Sequence, residues 1–479
     1  MNVPSFVGGN FLFRQNNQAC CFFLFSTSIC LTTAQNIQNL PQTSDFFFKY
    51  TEDNNPQPSY VPRPQLEGLR IEENAQRKDS LMSFPAFNQN VRQAAQPQQT
   101  SGAMQFAWNM MKMMVLPQQD NTVICPILPQ TLLATLYDGA DSGAKAELRS
   151  SLLATSQELG KLVRSQELAV RESNVNRLDQ AMAIFLGTDT KLSKPIEDKA
   201  LQDGVEFVKV NFLNRNAAAA TANNWVAQKS QGLIREIVAP NAIDASTRLL
   251  MASVIYFKGK WKYQFTQTEP GLFETSPSFD SRTPVGQQVP MMYQFNKFRY
   301  GEKQFPDGNG MRWVELPYES TAGLSMILML PKVRHQLQQS AEQLSITDVT
   351  EIITSLKQNR GTNKMHLRVP KFNVFSSLSL VPALKKLGLK SIFDRASALK
   401  DLSNEPLVVR DVSQRTFISV DEQGTTATSA ASLAFVALSA APPPPTINFT
   451  VDEPFLLMIV DKLHEYPLFV GKIVKPSTN

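Results

Sequence analysis

The chain has 479 residues, of which 42% are hydrophobic and 19% are charged, so it is long and apolar enough to bury a sizeable core. Its 47 basic residues against 42 acidic ones give a net charge of +5, which is too balanced to indicate a nucleic acid or an anionic membrane as a partner. The same balance, without any run of lysine or arginine, gives no support to polyanion binding.

Residues 1–34 have the pattern of a signal peptide. An apolar segment of signal-peptide length, residues 19–31, is followed by Thr-Thr-Ala, so we expect cleavage near Ala34 and secretion into the extracellular space. Cleavage would leave Cys125 as the only thiol and exclude an internal disulfide. The three cysteines removed with the signal would be Cys20, Cys21 and Cys30.

Residues 35–100 are rich in glutamine, asparagine, proline and charge, with one isolated apolar island at 46–48. Such a composition cannot bury enough apolar surface to offset the entropy of ordering, so we predict a disordered extension. A tether, a pro-segment and no specific role all remain open for it.

From residue 101 onward, hydrophobic periodicity predicts a mixture of helices and strands. The pattern indicates helices at 104–114, 130–137, 142–153 and 217–230, the first with a methionine stripe typical of a core-facing helix. Runs of strands, rather than strict alternation of strand and helix, indicate the α+β class with large mixed sheets. The predicted strands are 181–186, 205–212, 249–257, 290–300, 312–317, 324–330, 455–460 and 468–474.

The sequence contains no recognisable catalytic site. The chain has three histidines, His335, His366 and His464, and none lies near a nucleophile motif. Cys125 precedes an apolar helix, which favours a buried, inert thiol over a nucleophile. No cysteine and histidine spacing fits zinc and no glycine-rich loop fits phosphate. We therefore predict that the protein is not an enzyme and holds no metal or cofactor.

The stretch between Glu422 and Asp452 contains no charged residue. It begins with a glycine and three threonines, continues with small residues and ends in four prolines, so both faces of an extended backbone would tolerate burial. Its composition would also fit a low-complexity linker, whereas its apolar part is too short for a membrane span. The strand-like flanks at 415–422 and 454–460 favour a loop that can also become a central strand.

Six spaced motifs, taken together, resemble the serpin family. The similarity covers about residues 101–476 in order and is reinforced by Trp225 and the following 229–232, which look like the serpin helix that crosses the main sheet. It implies the serpin fold, with three sheets, about nine helices and an exposed reactive-centre loop at about 422–446 within a domain at 101–479. The motifs are VIYFKGKW at 254–261, VPMM at 289–292, VELPY at 314–318, DEQGT at 421–425, DEPFL at 452–456 and PLFVGK at 467–472.

The resemblance implies that the loop is bait for a serine protease. In inhibitory serpins the protease is acylated on cleaving the loop, and the loop then inserts into the main sheet before the acyl enzyme is hydrolysed. The family register puts the reactive bond fourteen positions after Gly424, at Leu438 and Ser439, with Phe435 or Leu433 as alternatives. A leucine there implies a chymotrypsin- or elastase-like target as the covalent partner. The hinge would comprise Glu422, Gly424, Thr425, Thr426, Ala427, Thr428, Ser429, Ala430 and Ala431.

The resemblance also implies a sheet-opening region beneath the point where the strands part. The matching positions are Cys125, Leu128, Ser253 and Gln414, and Trp261 belongs to the same region. Leu128 departs from the polar pattern of the family, which bears on how easily the sheet opens.

Two further expectations stay open in the sequence. Asn448 begins the sequon Asn-Phe-Thr, which is either glycosylated or buried and unused. The alternative function is a non-inhibitory serpin that acts as a carrier, chaperone or storage protein, although residues 425–431 of the hinge lack the charged or bulky residues or proline of such members. In either case we expect a secreted monomer without nucleic-acid or membrane partners.

Overall fold

The computed structural model describes residues 101–173, 175–244, 246–276, 285–320, 323–358, 361–403, 405–422 and 446–478. The predicted signal peptide, the extension, the hinge beyond Glu422 and the reactive bond Leu438–Ser439 lie outside these residues.

Ten α-helices form within the described residues. The first helix begins where the Ser101 hydroxyl accepts a hydrogen bond from the Met104 N–H at 3.2 Å and continues as a π-helical turn at Met111–Val115. The helices are α1 Gly102–Met110, α2 Ile127–Thr135, α3 Ser142–Leu152, α4 Ser156–Ser173, α5 Lys194–Gln202, α6 Arg215–Lys229, α7 Leu337–Gln343, α8 Ile346–Lys357, α9 Val381–Lys386 and α10 Ser391–Asp394.

The four helices predicted from the sequence all form, and α4 is one that the sequence analysis missed. Its residues are largely charged or polar, which hides a narrow buried stripe on one side. That stripe recurs at helical spacing and packs into the core; it consists of Leu159, Val163, Gln166 and Val170.

Fifteen strands form three sheets in the described part of the chain, which confirms the α+β class. They are β1 Thr122–Ile124, β2 Arg177–Gly187, β3 Val205–Val210, β4 Leu249–Lys258, β5 Gln267–Ser276, β6 Val285–Phe298, β7 Tyr300–Gln304, β8 Gly310–Pro317, β9 Leu324–Pro331, β10 Asn363–Pro370, β11 Phe372–Ser379, β12 Val409–Val420, β13 Ile447–Thr450, β14 Phe455–Asp461 and β15 Tyr466–Ile473.

The main sheet has the strand order β11-β12-β4-β2-β3. A six-stranded sheet has the order β1-β15-β14-β9-β8-β7, and a four-stranded sheet has the order β13-β10-β6-β5. The single strand predicted at 290–300 is wrong in one respect, because the chain breaks at Arg299 between β6 and β7. The break has a topological reason, since β6 belongs to the four-stranded sheet and β7 to the six-stranded one.

The centre of the main sheet is covered on both faces. On one face α6 packs with Trp225 edge-on to Phe185, their ring centroids 5.6 Å apart, so this helix does lie against the main sheet as the resemblance implied. On the other face Met251 and Ile255 of β4 join the large core cluster. Burial on both faces explains why β4 reads as a continuous apolar run rather than an alternating one.

Candidate functional site

The candidate site is the seam where β4 and β12 pair in the main sheet, together with the point where the chain leaves β12. The two strands run parallel, from Val409 opposite Leu249 to Ser419 opposite Lys258, although more than a hundred residues separate them in the sequence. The predicted site residues Ser253 and Gln414 lie directly opposite each other in this seam. The parallel pairing is the part of the sheet that an inserting loop would have to separate.

Gln414 ties the seam to the chain beneath it. Its Oε1 accepts a hydrogen bond from the Cys125 N–H at 2.9 Å, while its Nε2 donates to the Cys125 carbonyl at 2.9 Å. The same Nε2 lies 3.2 Å from the Ser253 hydroxyl oxygen. One buried amide therefore joins β12, β4 and the residue that follows β1. The structure brings three of the predicted residues together here.

The Cys125 thiol is inert in this environment. Complete burial raises its pKa to about 12, although the backbone N–H groups of Leu128 and Ile127 act in the opposite direction. A neutral thiol is a poor nucleophile, which agrees with the reading of the sequence. Leu128 is also fully buried, so its side chain contributes packing to the seam and no polar contact.

Two contacts in and beside the seam that the sequence analysis did not identify come from residues far apart in the chain. The Ser376 hydroxyl on β11 accepts a hydrogen bond from the Val123 N–H at 2.8 Å. Tyr256 of β4 stacks on Phe417 of β12 with ring centroids 5.3 Å apart. Both contacts join strands that are far apart in the sequence. Hydrophobic periodicity does not show which strands are neighbours, so it could not predict these contacts.

Trp261 anchors the end of β12. Its indole N–H donates to the Asp421 carbonyl at 2.9 Å, and its ring stacks on Tyr318 at 4.4 Å between centroids. The Asp421 carboxylate in turn lies 3.0 Å from Lys258 at the end of β4. These contacts fix the position from which the chain leaves the main sheet.

Glu422, the one hinge residue within the described range, is held from two sides. Lys371, between β10 and β11, places its ammonium 2.7 Å from Oε2, and the Thr268 hydroxyl of β5 donates to Oε1 at 2.7 Å. Partial burial works against ionisation, but the bonds from Lys371 and Thr268 outweigh it and hold the pKa of Glu422 below its ordinary value. The start of the loop is therefore pinned through an ionised carboxylate.

The three histidines lie at three separate places, each hydrogen-bonded to a carboxylate or a phenol. His335 Nε2 is 3.2 Å from Glu274, and His464 Nδ1 is 2.6 Å from Asp461. His366 Nδ1 is 2.7 Å from the Tyr293 hydroxyl. Within the described ranges none is hydrogen-bonded to a serine or a cysteine, and no group of three or more acidic, histidine or cysteine side chains is arranged to hold a metal ion.

Asn448 is exposed on β13, which is an edge strand of the four-stranded sheet. Its side chain therefore has the access to solvent that a glycosylated asparagine needs. In the part of the chain that is described, no helix is both long and apolar enough to cross a membrane.

Comparison with known proteins gives consistent similarities over the described domain. A family model described as Serpin (serine protease inhibitor) matches residues 101–476. Glia-derived nexin of Mus musculus is 32% identical over 363 residues, which cover 74% of this chain and 88% of that protein. Neuroserpin of Gallus gallus is 27% identical over 375 residues, covering 75% of this chain and 87% of that protein.

Solved structures give the same result. The structure of native protease nexin-1 with heparin matches with a TM-score of 0.67 at 27% identity, covering 78% of this chain and 98% of that one. The structure of a serine protease inhibitor from Manduca sexta, serpin-12, matches with a TM-score of 0.67 at 23% identity, covering 79% and 99%, and shows likeness of fold alone.

Removing the Gln414 amide should destabilise the protein strongly. Gln414→Ala leaves the buried N–H and carbonyl of Cys125 without partners, and we expect a loss of about 3 kcal/mol in the free energy of unfolding, measured by urea denaturation. Ser253→Ala is the matched control, because it removes only the 3.2 Å contact and should lose no more than about 1 kcal/mol. Equal losses in the two variants would show that the bonds to Cys125 contribute nothing.

The ion pair at the loop origin should depend on pH in a defined direction. A double-mutant cycle with Glu422→Gln and Lys371→Met should give a coupling of about 1 kcal/mol at neutral pH, the upper end for a partly exposed pair. Because the folded pKa of Glu422 is lowered, this coupling should be present above its ordinary pKa and vanish as the pH falls through the folded value. Coupling that stays constant down to the lowest pH at which the protein remains folded would contradict the assignment of an ionised carboxylate.

Proposed function

The chain belongs to the serpin family, and on that premise we propose that it is a secreted suicide inhibitor of a serine protease with chymotrypsin- or elastase-like specificity. The single observation that carries this proposal is the uncharged stretch 423–445, which in the sequence follows β12, one of the two strands of the parallel seam, and precedes β13. A carrier, chaperone or storage serpin would not need a bait loop whose two faces both accept burial.

The strand directions give insertion a physical rationale. A chain that leaves the end of β12 and folds back at Gly424 runs antiparallel to β12, and it also runs antiparallel to β4, because β4 and β12 are parallel. Insertion thus exchanges one parallel pairing for two antiparallel ones, and antiparallel pairing is slightly more stable per residue. The sheet gains a strand and a second set of ladder hydrogen bonds.

The seam contacts determine what insertion has to break. The Gln414–Ser253 contact and the Tyr256–Phe417 stack join β12 to β4, and the Lys258–Asp421 ion pair joins the end of β4 to the residue after β12. An inserted strand meets α6 on one face and the core on the other, so both sets of its side chains are buried. The threonines, serines and alanines of 425–431 suit this position because they are small and uncharged.

In the proposed chemistry the protease is acylated by the loop, and the acyl enzyme is trapped before it is hydrolysed. The catalytic serine of the protease attacks the carbonyl of Leu438, an ester forms between the two, and the amine of Ser439 leaves with the C-terminal piece. Insertion of the N-terminal piece then moves the esterified protease away from its productive geometry before water can hydrolyse the ester. The chain supplies the bait and the sheet, and the protease supplies all the catalytic groups.

The test is to mix the secreted protein with chymotrypsin, elastase and trypsin and to analyse the products on denaturing gels. We expect an SDS-resistant complex with chymotrypsin or elastase and a new N-terminus at Ser439. Simple cleavage without a complex would support the non-inhibitory alternative.

Leu438→Arg should move the protease preference toward trypsin, whose specificity pocket contains an acid. An unchanged preference in this variant would move the assignment of the reactive bond to Phe435 or Leu433.

Cleavage of the loop should raise the melting temperature. About a dozen new ladder hydrogen bonds, each worth about 1 kcal/mol net, should exceed the ordering entropy of a segment with short side chains, so we expect a rise of about 10 °C or more by calorimetry. Ala431→Arg would bury an unpaired charge and should abolish most of the rise.

Ala441→Arg is the matched control for Ala431→Arg. It adds the same side chain on the far side of the reactive bond, in the piece that does not insert, so its cleaved form should keep the full rise. Equal melting temperatures of intact and cleaved wild-type protein would contradict the inhibitory proposal and leave the fold assignment intact.

A further inference from the structure

The exposed face of the four-stranded sheet carries a group of side chains that the proposed mechanism does not use. They come from alternate positions of two neighbouring strands, so they share one face, and the register places them directly opposite one another in pairs. We refer to this group as the basic aromatic patch. Its members are Tyr293, Phe295 and Lys297 of β6 and Lys364, His366 and Arg368 of β10.

The positive charge of the patch is largely uncompensated. Lys297 and Lys364 lie opposite each other, and among the described residues neither forms an ion pair with a carboxylate. Arg368 has Glu269 as its partner, at the long distance of 4.0 Å. Like charges placed directly opposite each other destabilise a sheet, so the arrangement opposes folding and favours the approach of an acidic surface.

The aromatic part of the patch has the composition of a protein interface. Phe295 is 52% exposed, and its ring lies 4.6 Å from the His366 ring, which is itself hydrogen-bonded to Tyr293. Exposed aromatic side chains beside arginine are enriched at the centres of protein–protein interfaces. This composition favours a folded protein partner over a polysaccharide.

The position of the patch relative to the reactive bond restricts that partner. His366 pairs with Asn448 of β13, the strand that follows the loop, so the row Asn448, His366, Phe295 runs from this strand into the patch. Leu438 precedes Ile447, the first residue of β13, by nine residues, which span about 30 Å at most. A globular protease that holds Leu438 in its cleft can therefore reach this face.

We propose that the basic aromatic patch is a second contact surface for the target protease and that it binds an acidic, partly apolar surface beside the protease cleft. The inference rests on the proposed inhibitory function. It adds that two features select the target protease, the surface charge of the patch and the side chain of Leu438. Complementary charges of this kind act mainly on the rate of association and are screened by salt.

Two proteases that share a primary specificity and differ in net charge provide the test. The probes are an anionic and a cationic chymotrypsin, and the measured quantity is the second-order rate constant of covalent complex formation at low and high salt. Wild-type protein should react faster with the anionic enzyme. Lys297→Glu combined with Lys364→Glu should lower that rate about tenfold at low salt, lower it much less at high salt, and leave the rate with the cationic enzyme equal or higher.

Two further variants separate charge from contact. Lys161→Glu combined with Lys191→Glu changes the net charge by the same amount at exposed lysines outside the four-stranded sheet and should leave the rates within about twofold of wild type. Phe295→Ala should lower the rate with the anionic enzyme at both salt concentrations, because an apolar contact is not screened. All proteins in this comparison, including the reference called wild type, carry Asn448→Gln, since a glycan on that residue would cover the same face.

The outcomes distinguish this inference from the function on which it rests. A wild-type covalent complex whose rate is the same in the patch variants and the control overturns the second contact surface and leaves the inhibitory function standing. Absence of a complex with either enzyme overturns the inhibitory function and the inference with it. Patch variants that lose only heparin affinity, with unchanged rates in its absence, make the patch a polysaccharide site and overturn the proposal.

Discussion

The parallel pairing of β4 and β12 is the interaction on which the rest of the structure depends. Both strands are buried on their two faces, by α6 on one side and by the large core on the other, so the seam is stabilised by packing as well as by hydrogen bonds. Gln414 strengthens it with one amide that reaches β4 and the chain beneath the sheet. Under the proposed mechanism, this closed parallel seam would be replaced by two antiparallel pairings, which are slightly more stable per residue.

The chain leaves this seam through a short, heavily anchored segment. Trp261 holds the Asp421 carbonyl, and Lys371 and Thr268 hold the Glu422 carboxylate, so the three contacts come from two separate parts of the chain, 261–268 and 371. In the proposed insertion the chain would turn soon after these anchors, because Gly424 follows Glu422 by two residues. The anchors would then set the register of the added strand.

Recognition and conformational change would be divided between two sheets. The main sheet contains the seam and accepts the new strand, whereas the four-stranded sheet presents Phe295 and its basic neighbours to solvent on the side where the loop returns. Under these two proposals the recognition surface could vary without disturbing the seam, since the patch side chains face away from the buried Met365 and Leu367 of the same strand. Target selection and loop insertion would then be separable by substitution.

The sequence alone determined the fold class, most of the strands, four of the ten described helices and the neutral composition of the loop, because each of these is visible as periodicity or as motifs along a continuous segment. It missed α4, whose buried stripe lies among charged residues, and it joined β6 to β7, which belong to different sheets. Only the tertiary structure placed Lys371 on Glu422 and Lys297 opposite Lys364. Period two identifies the residues that share a face of one strand, but the neighbour of that strand is decided by packing between segments far apart in the chain.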